Sequence, residues 1–364
     1  MKKEEYFLIS APYIHNKGIK SEIQSDIFFY LNESLQQSGH KLHVANFLLS
    51  KNKKMVLDIK DIIKKIKNHH TIIIDANFAP GDSSGIYPLE LYRFLKKKKN
   101  KVICIIPDLL PSLNLFKWLD LSRFLISFSL SGVNWANKKY KTDKFIYYPS
   151  IPVPRLSKNN IHDFHQRPYD VGYIGSNKIF RVNFLSSLLK LGKNKISTLI
   201  ISSFRNSDLI KNTSDYLNLL SKCKFFFCSR ASFYEKYSKN ILSNEIFDGR
   251  YAGRVSEAIA AGCIPLYWQP KKGNFFSTLL REKILYSKYF TFEHSCLGDK
   301  KSFAFDEIEN DLNNAVQYVN SPRIAVEILK RMDKKNIKTK LRYNNKLYDR
   351  YIKPRKFIEF IKKI

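Results

Sequence analysis

Apolar residues along this chain fall into short runs, and each run is followed by a longer amphipathic stretch. Short apolar runs bounded by turn residues read as buried strands, and apolar positions recurring with a helical period read as helices. On that pattern Tyr6–Ile14 is a strand and Ser21–Ser38 a helix, then Lys41–Leu49 a strand and Leu57–Asn68 a helix with a basic face. Thr71–Asp75 is a strand and Pro88–Lys98 a helix, and Lys101–Pro107, Phe124–Phe128 and Lys144–Tyr148 are further strands. Alternation of this kind predicts a parallel sheet covered by helices.

The texture then changes. Pro149 to Pro168 is rich in proline and polar residues and reads as a linker between domains. A second alternating run follows, with strands at Tyr169–Ile174, Ser197–Ser202, Phe225–Ser229 and Cys263–Trp268. Its helices are Ile179–Leu191, Ser214–Lys222 and Arg254–Ala261. Helices fill most of the chain from Phe305 onward. The expected division is an N-terminal Rossmann-like domain over 1–150, a linker over 151–168, a second Rossmann-like domain over 169–340, and a basic C-terminal helix over 341–364 packing across both. Folds of this kind bind ligands outside the carboxyl ends of their strands.

Charge narrows the partners. The chain of 364 residues carries 63 Lys+Arg against 32 Asp+Glu, a formal net charge of +31. Nucleic acid, an anionic membrane surface and acidic substrates all suit such an excess. The abundance of Lys, Asn and Ile together is also what a biased base composition produces. Nucleic acid is disfavoured, because the aromatics lie in core-like runs rather than interleaved with Arg, and no RNA- or DNA-binding signature is present. The lysines of Leu57–Asn68 lie mostly off its apolar stripe, so the N-terminal domain offers a basic face to anionic lipid. The longest apolar stretch, Leu121 to Trp135, is broken by Arg123 and serines, so no membrane-spanning helix is expected. The opening MKKEEYFLISAPYI does not read as a signal peptide, and the expected place is the cytoplasm, either free or attached peripherally to the membrane's inner face. The five cysteines show no C-x-x-C spacing and are expected to be free buried thiols rather than zinc ligands.

Three segments carry chemistry. In GRYAGRVSEAIAAGCIPLYW, Gly249 to Trp268, Arg254 and Glu257 share one helix face, Gly262 occupies a C-cap position, and CIPLYW enters a core strand. A helix N-terminus facing a ligand offers N–H groups and a positive dipole end to a diphosphate. Arg254 suits a phosphate, and Glu257 suits ribose hydroxyls. In YDVGYIGSNKIFR a strand runs into Gly175 and Ser176, with Arg181 in the first turn of the next helix. There is no GxGxxG, so a dinucleotide cofactor is disfavoured. In CKFFFCSRAS, Ser229 and Arg230 stand at the carboxyl end of a strand.

The first of these segments resembles the donor-binding helix of GT-B glycosyltransferases. In particular it is similar to the R-x-x-E-A-(x)-G-C-I-P pattern of exostosin-like and related bacterial surface-glycan enzymes, matched by Arg254, Glu257, Ala258, Gly262, Cys263, Ile264 and Pro265. The resemblance implies two Rossmann-like domains facing each other across a cleft. It implies a nucleotide-sugar donor held by Gly175, Ser176, Arg181, Arg230, Arg254 and Glu257, and a glycan or lipid-linked acceptor such as a capsule or lipopolysaccharide precursor. Retaining members often carry a second glutamate where this chain has Gly249, and that departure points toward inversion.

An inverting transfer needs a base for the acceptor hydroxyl. Asp82, in a glycine-flanked loop, ranks first, ahead of His15 and Asp108; each follows an expected strand of the N-terminal domain. No metal site is expected, because there is no DxD motif and cationic groups can stabilise the leaving diphosphate. A nucleotide-sugar epimerase or hydrolase of the same shape, and a basic nucleic-acid-binding protein, are the alternatives.

Overall fold

The protein is described by a computed structural model covering residues 4–10, 26–37, 39–45, 47–49, 55–76, 87–98, 101–106, 115–128, 130–155, 163–175, 179–193, 195–201, 210, 213–229, 253–268 and 306–364. The chain divides into two compact units, Met1–Pro154 with Pro354–Ile364, and Arg155–Lys353.

The first unit is built on strands β1 (Glu5–Ile9), β2 (Lys41–Val44), β5 (Thr71–Asp75), β6 (Val102–Ile106), β7 (Phe124–Ser127) and β8 (Phe145–Tyr147), in the spatial order β2-β1-β5-β6-β7-β8. Every pairing in this sheet is parallel. Alternate residues serve opposite faces, as the pleat requires. Phe7, Ile9, Ile72, Ile74, Cys104 and Ile106 pack under helices α2 (Ile59–Lys65), α3 (Leu89–Lys96), α4 (Phe116–Leu121) and α5 (Leu130–Tyr140). Tyr6, Leu8, Ile73, Ile105 and Ile126 pack on the other face, against α1 (Asp26–Gln37) and the last helix of the chain.

The stretch expected as one strand over 41–49 is divided. Phe47–Leu49 (β3) leaves the sheet and pairs antiparallel with Met55–Leu57 (β4). Helix α2 therefore starts two residues later than its apolar stripe suggests, and Asp58 caps it by accepting the Asp61 N–H at 3.0 Å.

The second unit carries β9 (Tyr169–Ile174), β10 (Thr198–Ile201), β11 (Cys223–Ser229), β12 (Ile264–Trp268) and β13 (Gln317–Val319), ordered β10-β9-β11-β12-β13 and parallel throughout. Its helices are α6 (Ile179–Gly192), α7 (Thr213–Ser221), α8 (Gly253–Ala260), α9 (Asp306–Ala315), α10 (Pro322–Arg331) and α11 (Lys334–Leu347). Phe184, Leu185 and Leu188 of α6 pack with Ala325 and Val326 of α10 over Tyr173, Phe225, Phe227 and Leu266. Helices α7 and α8 lie against β11. Strand β13 was not expected from the pattern; its three residues are too few to show an alternation.

The boundaries between the units differ from the expected ones. The second unit begins at Arg155, whose N–H donates to the Tyr348 hydroxyl at 2.8 Å and whose guanidinium lies 4.1 Å above the Tyr348 ring. The helix expected over 341–364 is two helices. A wider helical turn over Tyr348–Ile352 leads to Lys353 at φ −55° and ψ 122°, outside the helical region, and Pro354 then opens α12 (Pro354–Lys363). A residue before proline avoids the helical region, which accounts for the break. Helix α12 packs on the first unit through Phe357, Ile358 and Ile361.

Candidate functional site

Both sheets place their first strand between its neighbours, so strand order reverses beside it, and that reversal opens a crevice at the carboxyl ends. In the second unit the reversal lies between β9 and β11. The side chains singled out in the sequence converge there.

Strand β9 ends at Ile174, and the Gly175 N–H turns to the Ile201 carbonyl of β10 at 2.9 Å. A Cβ at Gly175 would come within 2.9 Å of the Tyr173 hydroxyl and 3.2 Å of the Arg254 Cζ. The missing side chain is what admits the Arg254 guanidinium to this end of the strand. Arg181, in the first turn of α6, reaches across to the end of β11: its Nε donates to Ser229 Oγ at 2.8 Å and its Nη2 to the Ser229 carbonyl at 3.4 Å.

Helix α8 supplies the other half. Arg254 Nη1 donates to the Ile174 carbonyl and, at 3.1 Å, to the Tyr216 hydroxyl. That hydroxyl in turn donates to Glu257 Oε2. Glu257 and Tyr216 are both buried. Arg254, Tyr216 and Glu257 therefore form one chain of hydrogen bonds from α8 through α7 and back to α8. The helix is held in place by its own ending. Gly262 adopts φ +73°, its N–H bonds to the Ile259 carbonyl at 3.0 Å, and the Cys263 N–H bonds to the Ala258 carbonyl at 2.8 Å. This pair of hydrogen bonds around a left-handed glycine makes a Schellman ending, at the C-cap position expected of Gly262. Buried Arg167 adds to it, donating to the Cys223 carbonyl at 2.8 Å and the Ala261 carbonyl at 3.4 Å.

In electrostatic terms two guanidinium groups and one carboxylate gather at the crevice. Helices α6 and α8 each follow a strand of a parallel sheet, so their positive dipole ends lie on the same side as Gly175 and Ser229. Cys228, inside this group, is fully buried, and burial pushes its thiol well above the usual range, which makes it an inert core residue. Cys104, Cys223 and Cys263 are likewise free and buried.

The structure thus brings together Gly175, Arg181, Ser229, Arg254 and Glu257. Ser176, Arg230, His15, Asp82 and Asp108 lie outside the described residues. Tyr216 was not singled out from the sequence. Its two partners are 38 and 41 positions away, and nothing in the local pattern of α7 marks it.

No protein-family model matches the chain, and no curated protein matches it. Among solved structures it is similar to HepE of Anabaena in complex with UDP and glucose, at 9% identity and a TM-score of 0.46, covering 99% of this chain and 100% of that one. It is also similar to AviGT4, a glycosyltransferase involved in avilamycin A biosynthesis, at 10% identity and a TM-score of 0.47 over 98% of this chain and 96% of that one. A third likeness is to TarM of S. aureus, at 10% identity and a TM-score of 0.43 over 85% of this chain and 59% of that one.

Proposed function

We propose that the protein is a glycosyltransferase that moves a sugar from a nucleotide-sugar donor to a glycan or lipid-linked acceptor, with inversion. The observation that carries this reading is the gathering of Gly175, Arg181, Arg254 and Glu257 at the carboxyl ends of β9 and β11. In such a transfer the bond from the sugar's anomeric carbon to the diphosphate breaks, and negative charge grows on the leaving oxygen. Arg181, Arg254 and the α8 N-terminus are the groups that would take up that charge, so the step is proposed to need no metal or other cofactor. Glu257, oriented by Tyr216, would accept from a ribose hydroxyl. Asp82, ahead of His15 and Asp108, is proposed as the base that takes the acceptor proton. A donor-consuming epimerase or hydrolase would use the same donor site and would differ in needing no acceptor.

A thermal-shift screen against UDP, GDP, CMP, ADP and their sugars, repeated with Arg181→Ala and Glu257→Gln, tests the donor site. A nucleotide at 100 times its dissociation constant adds about 2.7 kcal/mol of stability. The expected result is a rise of several degrees with one nucleotide, lost in both variants. No rise with any nucleotide, from folded protein, removes the transferase reading.

For the acceptor side we propose peripheral attachment to anionic lipid, which suits a capsule or lipopolysaccharide precursor on the cytoplasmic face. Among the described residues no helix is long and apolar enough to cross a membrane. The helices over the first sheet expose Phe116 (67%), Leu89 (48%) and Ile63 (38%) among exposed Lys60, Lys64, Arg93, Lys96 and Lys97. Exposed apolar side chains set among basic ones suit insertion at a headgroup surface. Co-sedimentation with phosphatidylglycerol vesicles is expected, weakened by salt and by Phe116→Ser. Equal binding to neutral vesicles would remove this part of the reading.

A further inference from the structure

At the amino-terminal ends of the first sheet's strands, the turn from α2 into β5 is closed twice by one pair of residues. The His70 N–H donates to the Lys67 carbonyl at 3.2 Å, and the Lys67 N–H donates back to His70 Nδ1 at 3.2 Å. A backbone N–H can only donate, so Nδ1 carries no hydrogen and the proton of the neutral ring sits on Nε2. That proton is donated to Glu5 at the start of β1, whose Oε2 lies 3.0 Å from Nε2. The neutral imidazole thus ties together the end of α2, the approach to β5 and the first residue of β1. His70 is fully buried, and both ring nitrogens are satisfied.

Charged and titratable groups face this ring from each neighbouring element. From β1 comes Glu5. From β2 come His43, whose ring stacks on His70 with centroids 4.9 Å apart, and Lys41, whose ammonium takes the other Glu5 oxygen at 3.1 Å. In the turn itself His69 lies edge-on to His70 at 4.8 Å, with its Nε2 3.1 Å from Glu5 Oε2, and Lys98 donates to the Asn68 side chain. Hydrogen bonds from His69, then Lys41 and His70, hold the Glu5 carboxyl at about 2, so it stays ionised wherever a histidine titrates. For His70 burial is the largest influence. It outweighs the Glu5 hydrogen bond, His43 and His69 act in the same sense as burial, and the ring is held below its ordinary value.

We propose that the Lys67–His70 turn is a pH-sensitive latch, which protonation of His70 opens, freeing the end of α2 from β1 and β5. A proton added at Nδ1 turns that nitrogen from acceptor to donor. It then faces the Lys67 N–H, and one of the turn's two bonds becomes a repulsion. The charge also sits in a buried place against the His43 ring, and only the bond to Glu5 gains from it. The unfolded ring takes up its proton near about 6.5 and the folded ring at lower pH, so between the two the folded chain holds fewer protons. Stability from His70 is therefore full above about 6.5 and is lost as pH falls through the folded value. His40 lies edge-on against Tyr6 on the other face of the sheet, near Glu4 and Lys362. Burial and then Lys362 hold it below its ordinary value too, so it moves overall stability the same way, and only a probe at the turn separates the two. Helix α2 carries exposed Lys60, Ile63 and Lys64, so acid loosens one helix of the basic face. The latch depends on neither the transferase reading nor the lipid one.

The test is hydrogen exchange of the full chain at pH 7.5 and pH 5.5, corrected for the intrinsic rate and followed in peptides between Ile59 and Asp75. Exchange at the turn and the end of α2 is expected to quicken several-fold at the lower pH. The ceiling is about tenfold, since pH 5.5 lies about one unit below the ordinary histidine value. His70→Asn offers an oxygen acceptor in place of Nδ1 and does not titrate, so its turn should exchange alike at both pH values. His69→Ala, at an exposed side chain, is expected to keep the response. Nitrogen NMR of the wild-type ring should show a bare Nδ1 and a protonated Nε2 at pH 7.5, with a midpoint below about 6.5. A protonated Nδ1 at pH 7.5, turn exchange that does not change with pH, or a pH response that survives His70→Asn overturns the proposal.

Discussion

Tyr216 is the residue on which the geometry of the proposed donor site turns. Its hydroxyl accepts from Arg254 at 3.1 Å and donates to buried Glu257, so one phenol orients both charged groups. Tyr216→Phe keeps the ring and removes that link. A lost hydrogen bond to a charged group costs about 1.5–3 kcal/mol. If the cost falls on donor binding, KM for the nucleotide sugar should rise about tenfold or more, since about 1.4 kcal/mol is a factor of ten. Steady-state kinetics alongside melting curves decide the matter. A lowered melting temperature with unchanged KM would make Tyr216 a packing residue only. Arg254, Glu257, Gly175 and Arg181 were legible in the sequence because each belongs to a short segment whose turn, cap or helix start is local. Tyr216 and the hydrogen-bonded pair of Glu5 and His70 were not, because their partners come from strands and helices that only the folded sheet brings together.

At the level of elements, most strands and helices followed the apolar pattern, and the exceptions have physical causes. The β3–β4 hairpin took residues from an expected strand and helix, because apolar residues either side of Lys51–Lys54 can pair with each other as well as with the sheet. Helix α11 shows a finer effect. Lys340 Nζ donates to the Val316 carbonyl at 2.7 Å and the Asn314 carbonyl at 3.4 Å, at the C-terminal end of α9. A cation there complements the helix dipole. Burial nonetheless pushes its pKa down to about 8. An unfolded lysine titrates near about 10.4, so between about 8 and about 10.4 the folded chain holds fewer protons than the unfolded one. Stability from this group therefore rises as pH climbs through that window and is lower below it. Urea denaturation from pH 7.5 to 10.5 should show wild type gaining on Lys340→Met across that range. A constant difference between the two would mean that the ammonium is not held in the folded state at a lowered pKa.

For the molecule as a whole, composition and charge limited the partners but left the route of the chain between the units open. The chain begins and ends its described course in the same unit: Lys362 pairs with Glu4 at 3.1 Å, and Arg123 donates to the Ile364 carbonyl at 2.8 Å. Helix α12 is no appendage. Phe357 is wholly buried, Ile358 and Ile361 nearly so, and Phe357 packs edge-on against Tyr148 with centroids 4.8 Å apart. Burial of each such side chain contributes about 1.5–3 kcal/mol, so losing these side chains costs about 5–9 kcal/mol. Typical domain stability is about 5–15 kcal/mol, so the loss should leave the first unit largely unfolded. A chain ending at Lys353 is expected to lose the protection of Trp118 fluorescence and to be cleaved within the first unit by trypsin. A fragment from Arg155–Lys353 should persist, because that unit has its own sheet and its own core around Tyr173, Phe225, Phe227 and Leu266. If the shortened chain melts within two degrees or so of the full one, the apolar face of α12 contributes at most about 1 kcal/mol on the usual scale, far less than its burial implies. If both units are digested together, the second depends on the first for its stability, and the division at Arg155 is a boundary of contacts rather than of folding.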